Sequence, residues 1–203
     1  MWPERLRIEG DLWSQGYRLV AGLDEAGRGP LAGPLVVAAV ILPPEWHHPE
    51  IQDSKKLSPK ERARLAEIIR QAALSYSLVT VAADVIDTVG LSRAWHQAVR
   101  AAVRRLSLPP QAVLVDGTWK PALEVPFWAI PGGDDRSQTV AAASILAKVY
   151  RDHLMALYHR RWPQYGFDRH MGYGTREHRD AIRRYGPSPI HRWSFRWEGT
   201  LPS

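Results

Sequence analysis

Residues 17–42, "YRLVAGLDEAGRGPLAGPLVVAAVIL", hold two runs of branched apolar residues on either side of a turn crowded with glycine and proline. "YRLVAGLD" (17–24) and "PLVVAAVIL" (34–42) read as successive strands, and so short a connection favours an antiparallel pair. The neighbouring acids Asp24 and Glu25 break the pattern. Side chains alternate faces along a strand, so one of two adjacent acids points back toward the core unless the strand ends there. Gly27 and Gly29 are expected to supply that ending.

Outward from this stretch, helix and strand alternate. Residues 3–15 suit a short amphipathic helix with Leu6, Ile8 and Trp13 inward. "SPKERARLAEIIRQAAL" (58–74) begins with Ser58 as N-cap, Pro59 in the first turn and Glu61 closing a capping box. "SYSLVTVAA" (75–83) reads as a strand, "LSRAWHQAVRAAVRRL" (91–106) as a helix, and "QAVLVDG" (111–117) and "VPFWAI" (125–130) as strands. A long helix is expected from about Ser137 to Trp162, with the small residues of "VAAASILAKV" (140–149) packed closely on a sheet. The last helix, within "GTREHRDAIRRYG" (174–186), is capped by Thr175 and stopped by Gly186, and the tail beyond Pro187 reads as irregular. The order implies an α/β fold with a mixed central sheet flanked by helices, later strands being reached through helical crossovers. A single domain over 1–203 is expected, with its core at about 18–160 and a small helical C-terminal subdomain at about 161–203.

The chain has 203 residues, 45% of them hydrophobic, enough for a substantial core. It has no cysteine, which excludes disulfides, thiolate metal sites and cysteine nucleophiles and suits a reducing compartment. No apolar run has signal-peptide or membrane-spanning length, so a soluble cytoplasmic protein is expected, with monomer as the default. The net charge is +6, and residues 151–203 hold ten arginines against five acids. Clustered arginine makes a polyanion partner plausible, and a solvated basic face explains the same charge equally well.

Acids recur at strand ends. Asp24 and Glu25 close the first strand, Asp116 closes "AVLVD", and Asp134 follows "FWAIPGG" just before the long helix. Taken singly, Asp116 suits a turn and Asp134 a helix cap. Gathered at the strand ends of one sheet, such carboxylates repel one another unless protonated or bridged by cations, and oxygen ligands without sulfur favour a hard ion, Mg2+ or Mn2+. Two such ions can activate water for phosphodiester cleavage. The eight histidines show no metalloprotease pairing, and there is neither a serine-hydrolase elbow nor a phosphate-binding P-loop.

"LVAGLDEAGRGPLAGPLVVAAVIL", "DSKKLSPKER", "VLVDG", "GGDDRSQTVAAASILAKVYRD" and "YGFDRHMGYGTREH" together resemble bacterial type 2 ribonuclease H, ribonuclease HII, in the family's order and over nearly all the chain after about residue 17. The resemblance implies an RNase H-like fold and a metal-dependent endonuclease acting on RNA joined to DNA, in hybrids and at ribonucleotides embedded in duplex DNA. It marks Asp24, Glu25, Asp116 and Asp134 as the catalytic, metal-binding carboxylates, Asp134 rather than Asp135 because it directly follows the glycine of the "GD" motif. Gly27, Arg28 and Gly29 resemble the loop that reads the ribonucleotide, and Tyr173 the tyrosine set against the sugar at the junction. The presence of "GRG", without room for an added N-terminal domain, argues for type HII over the related type HIII.

Chemistry supports these assignments. A 2′-hydroxyl is met most closely by backbone free of side chains, as at the two glycines, and Arg28 can hold the adjacent phosphate. Lys55 and Lys56 offer further phosphate contacts or form a solvated pair. Ser144 and Lys148, one helical turn apart, read as support for the site. The family commonly has Lys before "GY", and here Met171 stands there, so Arg169 or His170 is expected to replace that contact unless it is lost. Two rivals remain open: a noncatalytic nucleic-acid-binding module, and another nuclease or strand transferase of RNase H-like fold.

Overall fold

The computed structural model describes residues 2–195; residues 196–203 of the expected C-terminal subdomain lie outside the described residues. A short helix, α1 (Arg7–Ser14), precedes β1 (Val20–Ala26) and β2 (Leu35–Ile41). Then come α2 (Pro59–Ala72), β3 (Ser75–Val81), α3 (Ala83–Val89), α4 (Leu91–Arg104), β4 (Ala112–Asp116) and β5 (Phe127–Ile130). The chain closes with α5 (Gly133–Arg136), α6 (Gln138–Arg161), α7 (Phe167–His170) and α8 (Arg176–Tyr185).

The five strands form one mixed sheet in the order β3-β2-β1-β4-β5. β1 and β2 pair antiparallel, as do β2 and β3, while β1, β4 and β5 run parallel. The expected α/β architecture is therefore present. It differs from the expectation in several places, among them these. The chain turns into α3 where the apolar run at 75–83 suggested continuing strand, a turn of helix (α5) precedes the long one, and β5 is reached by a loop instead of a helix.

Local chemistry accounts for the secure boundaries. The Ser58 hydroxyl accepts from the Glu61 amide at 3.3 Å while the Glu61 carboxylate accepts from the Ser58 amide at 2.7 Å, closing the capping box of α2. Thr175 caps α8 through the His178 amide at 3.3 Å. At α6 the cap is built from two elements: Ser137 Oγ accepts from the Val140 amide and donates at 2.6 Å to Glu9 Oε1, which also accepts from the Thr139 amide. Glu9 is fully buried on α1, so the N-terminal helix pins the start of α6. Leu6 and Trp13 are buried as expected, and Leu12 joins them.

The two faces of the sheet bury different helices. Ala21, Leu23, Val37, Ala39, Val113 and Val115 pack against Trp95, Ala98, Val99 and Ala102 of α4. On the other face Val36, Ala38 and Val40 meet Ala141, Ala142, Ile145 and Leu146 of α6, and Val20 and Leu114 meet Val140. The small residues let α6 come unusually close to β1. A Cβ on Gly22 would lie 2.3 Å from the Thr139 carbonyl carbon. Gly22→Ala is therefore expected to lower stability by about 3 kcal/mol through forced separation of helix and strand. Urea unfolding measures this, and an unchanged midpoint would contradict the close approach.

Candidate active site

β1 does not end at its acids; it continues to Ala26. Asp24 and Glu25 consequently stay on opposite faces, which corrects the expectation that the glycines terminate the strand there. Asp24 lies on the α6 face with Val20 and Gly22. In the parallel pairing of β1 with β4, Leu23 sits opposite Val115, so Asp24 and Asp116 follow the last matched positions side by side. α5 then brings Asp134 to the same place, its position fixed by the Gly133 amide donating to Asp116 Oδ1 at 2.7 Å. One carboxylate oxygen from each of Asp24, Asp116 and Asp134 falls within 4.8 Å of the others. Glu25 sits on the α4 face instead, where Oε2 accepts from Trp95 Nε1 at 2.9 Å and Oε1 accepts from Arg28 Nη1 at 3.1 Å.

Burial holds the Asp24 carboxyl well above the usual carboxylate range, and the nearby Glu25 and Asp116 charges add to the effect. Burial likewise raises Asp134, with Asp116 and Asp53 contributing and Lys55 opposing. Glu25 is also raised by burial, against the pull of its Trp95 and Arg28 donors. A desolvated, oxygen-only, mutually repelling group of this kind fits a hard divalent cation, which relieves the repulsion that otherwise favours protonation.

A cleft of about 400 Å³ opens beside the acids. It is lined by Asp24, Glu25, Asp116, Gly27, Arg28, Gly29, Lys55, Tyr173, Ser144 and Lys148, so nearly all the residues singled out from sequence share one space. Lys55 reaches Asp134 Oδ2 at 3.4 Å. Lys56 turns instead to Asp135 at 2.6 Å, outside the cleft lining. Ser144 Oγ lies 2.9 Å from Ser54 Oγ, and Lys148 pairs with Asp152 at 2.7 Å. The two loop glycines differ. Gly27 has φ +95° and a Cβ there would collide with Arg151 and the Pro34 carbonyl, whereas a Cβ on Gly29 would meet only the Tyr173 ring at 3.9 Å.

Two buried arginines hold that loop, and the sequence offered no signal to separate them from the rest of the basic segment. Arg192 donates to the carbonyls of Gly27 at 2.6 Å, Arg28 at 3.0 Å and Gly33 at 2.8 Å. Arg151 donates to the carbonyls of Pro34 at 3.0 Å, Ala32 at 3.1 Å and Met171 at 2.9 Å. Further C-terminal positive charge is paired at the surface: Arg169 with Glu177, and Arg176 and Arg183 with Asp180. Neither proposed stand-in at Met171 is placed for the task, because Arg169 faces Glu177 and His170 is buried, bonded to the Tyr165 carbonyl at 2.7 Å.

The three C-terminal histidines form a structural stack. His178 Nδ1 must donate to the Tyr173 carbonyl at 2.9 Å, so its Nε2 accepts from His191 Nε2 at 3.0 Å, and His191 Nδ1 accepts from the Ser188 amide at 2.8 Å. Every proton in this relay is assigned with both rings neutral. Burial pushes each of the two imidazoles down to about 4.

A family model for Ribonuclease HII matches residues 21–197. The chain belongs to the ribonuclease HII family. It is 50% identical to the Ribonuclease HII of Syntrophus aciditrophicus over 195 residues, covering 96% of this chain and 92% of that protein. It is 52% identical to that of Pelotomaculum thermopropionicum over 190 residues, 93% of this chain and 71% of that one. Among solved structures it resembles ribonuclease H2 of Pyrococcus horikoshii, with a TM-score of 0.76, 26% identity and coverage of 88% and 94% of the two chains. A Bst-RNase HIII in complex with Mn2+ shares the fold, with a TM-score of 0.62, 20% identity and coverage of 85% and 65%. As a ribonuclease HII the chain is a hydrolytic endoribonuclease acting on nucleic acid. No helix among the described residues is long and apolar enough to cross a membrane.

Two outcomes follow for this ribonuclease HII. Because His178 and His191 titrate near 6.5 when unfolded and near 4 when folded, stability is highest above pH 6.5 and falls as pH drops toward 4, by on the order of a few kcal/mol. Asp24 has the opposite sign, gaining relative stability as it protonates, so His178→Gln should flatten the slope, as read by urea unfolding across that pH range. Arg192→Lys leaves some loop carbonyls without donors, with an expected loss of about 2–4 kcal/mol. Thermal unfolding checks it; a melting temperature equal to wild type would remove Arg192 as the fastening of the loop.

Proposed function

We propose that the protein hydrolyses the phosphodiester on the 5′ side of a ribonucleotide, both in RNA/DNA hybrids and at ribonucleotides embedded in duplex DNA. The carrying observation is that one cleft is lined by Asp24 and Asp116 together with the Gly27–Arg28–Gly29 loop and Tyr173, and that Asp134, outside the lining, clusters with those two aspartates. Asp24, Asp116 and Asp134, with Glu25 beside them, act as catalytic carboxylates. These oxygens would hold a pair of hard ions, Mg2+ or Mn2+, which would supply Lewis acidity to the hydrolysis.

The chain's own groups do the rest. The Gly27–Gly29 backbone approaches the ribose and meets its 2′-hydroxyl, while Tyr173 packs against the sugar. Arg28 and Lys55 hold adjacent phosphates, and Ser144 and Lys148 support the carboxylates from α6. Water attacks phosphorus in line, the bond to the 3′ oxygen breaks, and the products carry a 3′-hydroxyl and a 5′-phosphate. The 2′-hydroxyl serves as a recognition group and never as the nucleophile. The protein works as one domain, because the sheet and Tyr173 of the α7–α8 turn line the same cleft, and it works as a monomer.

Asp24→Asn and Asp116→Asn should each abolish cleavage of a DNA duplex carrying one ribonucleotide, by about a thousandfold or more, while binding measured by fluorescence anisotropy survives. Full activity in either variant would sink the metal-site assignment. The same duplex set against all-DNA and an RNA/DNA hybrid, with Mg2+, Mn2+ or EDTA, separates this reading from its rivals. A noncatalytic binder is indifferent to chelation, and another nuclease of this fold cuts the all-DNA duplex.

A further inference from the structure

Glu25 and Arg28 are gripped by two tryptophans that the functional reading leaves unused. Trp95, buried in the first turns of α4, donates through Nε1 to Glu25 Oε2 at 2.9 Å. Trp119 lies in the loop after β4, half-buried, and the Arg28 guanidinium carbon sits 3.8 Å from its ring centroid. The two indoles meet edge to face, 5.1 Å apart at 87°, and His96 lies nearly parallel to Trp119 at 15°. The four side chains therefore form a closed bracket: Trp95 fixes one oxygen of Glu25, Arg28 takes the other, Trp119 covers the flat face of Arg28, and Trp95 supports Trp119.

We propose that Trp119 is a positioning residue for ribonucleotide recognition, acting through Arg28. This rests on the reading above that Arg28 holds a substrate phosphate. An arginine side chain 38% exposed at a loop has many rotamers, and ordering it only on binding weakens the complex. A guanidinium lying over an indole is held by the ring's electron-rich face, and its edge keeps its N–H donors free for in-plane acceptors. One such donor already meets Glu25, which sets the rotation of the plane and leaves the other N–H groups for a phosphate. Trp119 thus pre-orders the phosphate contact on the strand whose ribose the neighbouring glycines approach. Its loss is expected to weaken substrate binding while the aspartate cluster, on the other face of β1, keeps its arrangement.

The competing explanation is that Trp119 merely covers the apolar end of α4. Trp119→Leu keeps apolar bulk without a π face, and Trp119→Phe keeps a π face with less bulk, so the pair separates the two ideas. On a DNA duplex carrying one ribonucleotide, Trp119→Leu is expected to raise KM about three- to tenfold with kcat nearly unchanged, and Trp119→Phe to restore most of the loss. In the Arg28→Ala background, adding Trp119→Leu should have no further effect, because the interaction is already gone. The same comparison in binding alone uses anisotropy on the Asp24→Asn background. Equal KM for the Leu and Phe variants, or an undiminished Trp119→Leu effect without Arg28, overturns the proposal. A wild-type protein that leaves the ribonucleotide uncut overturns the functional reading and this inference with it; cleavage without the Trp119 pattern overturns this inference alone.

Discussion

β1 is buried on both faces, against α6 through Gly22 and against α4 through Leu23 and Trp95, and the geometry of the site follows from that enclosure. A strand covered on both sides and continuing past its acids sends Asp24 one way and Glu25 the other. Asp24 enters a desolvated space shared with Asp116 and Asp134, where like charges crowd and a cation is favoured. Glu25 enters the α4 layer, where two donors hold it. The adjacent acids are therefore not equivalent ligands side by side. They belong to two linked constructions, one around the aspartates and one around Arg28 and the Gly27–Gly33 loop.

The Gly27–Gly33 loop is an extension of β1 that the sheet itself cannot hold. It leaves the sheet with a left-handed Gly27, and its carbonyls are taken by Arg192 and Arg151. Buried guanidiniums are costly unless their donors are satisfied, and a fan of loop carbonyls satisfies them while fixing the loop's shape. The turn between α7 and α8 contributes Tyr173 to the cleft, and His178 of α8 anchors its carbonyl. Loop, buried arginines and histidine stack form a continuous support behind the cleft.

Much of this was legible in the sequence, unevenly. Runs of branched apolar residues located β1 and β2, helical periodicity located α4 and α6, and chemical caps fixed the starts of α2, through Ser58 with Glu61, and α8, through Thr175. The short elements α3, α5 and α7 escaped, since a helical turn of few residues has little periodicity to read. The acids near the strand ends were visible as residue types at boundaries, and the fold clusters Asp24, Asp116 and Asp134. Arg192 and Arg151 were invisible: an arginine buried on carbonyls and one on a solvated face look identical in a string of letters. The same ambiguity made the C-terminal charge look like an open basic surface, when much of it is paired or buried.

What the sequence by itself determined is the residue chemistry and its order: two apolar strands joined by a glycine-rich turn, acids near strand ends, small residues along α6, and no cysteine thiolate to compete as ligand. These follow from local rules of propensity, alternation and capping, which act over a few neighbouring residues. Only the tertiary structure decided which acids share a space. Asp24, Asp116 and Asp134 lie far apart in the chain and meet through strand order and the turn at α5, while Glu25, adjacent to Asp24, sends its carboxylate to Trp95 and Arg28 on the α4 side. Proximity across a fold depends on pairing register and on which face each side chain takes, and neither quantity is written at any single position.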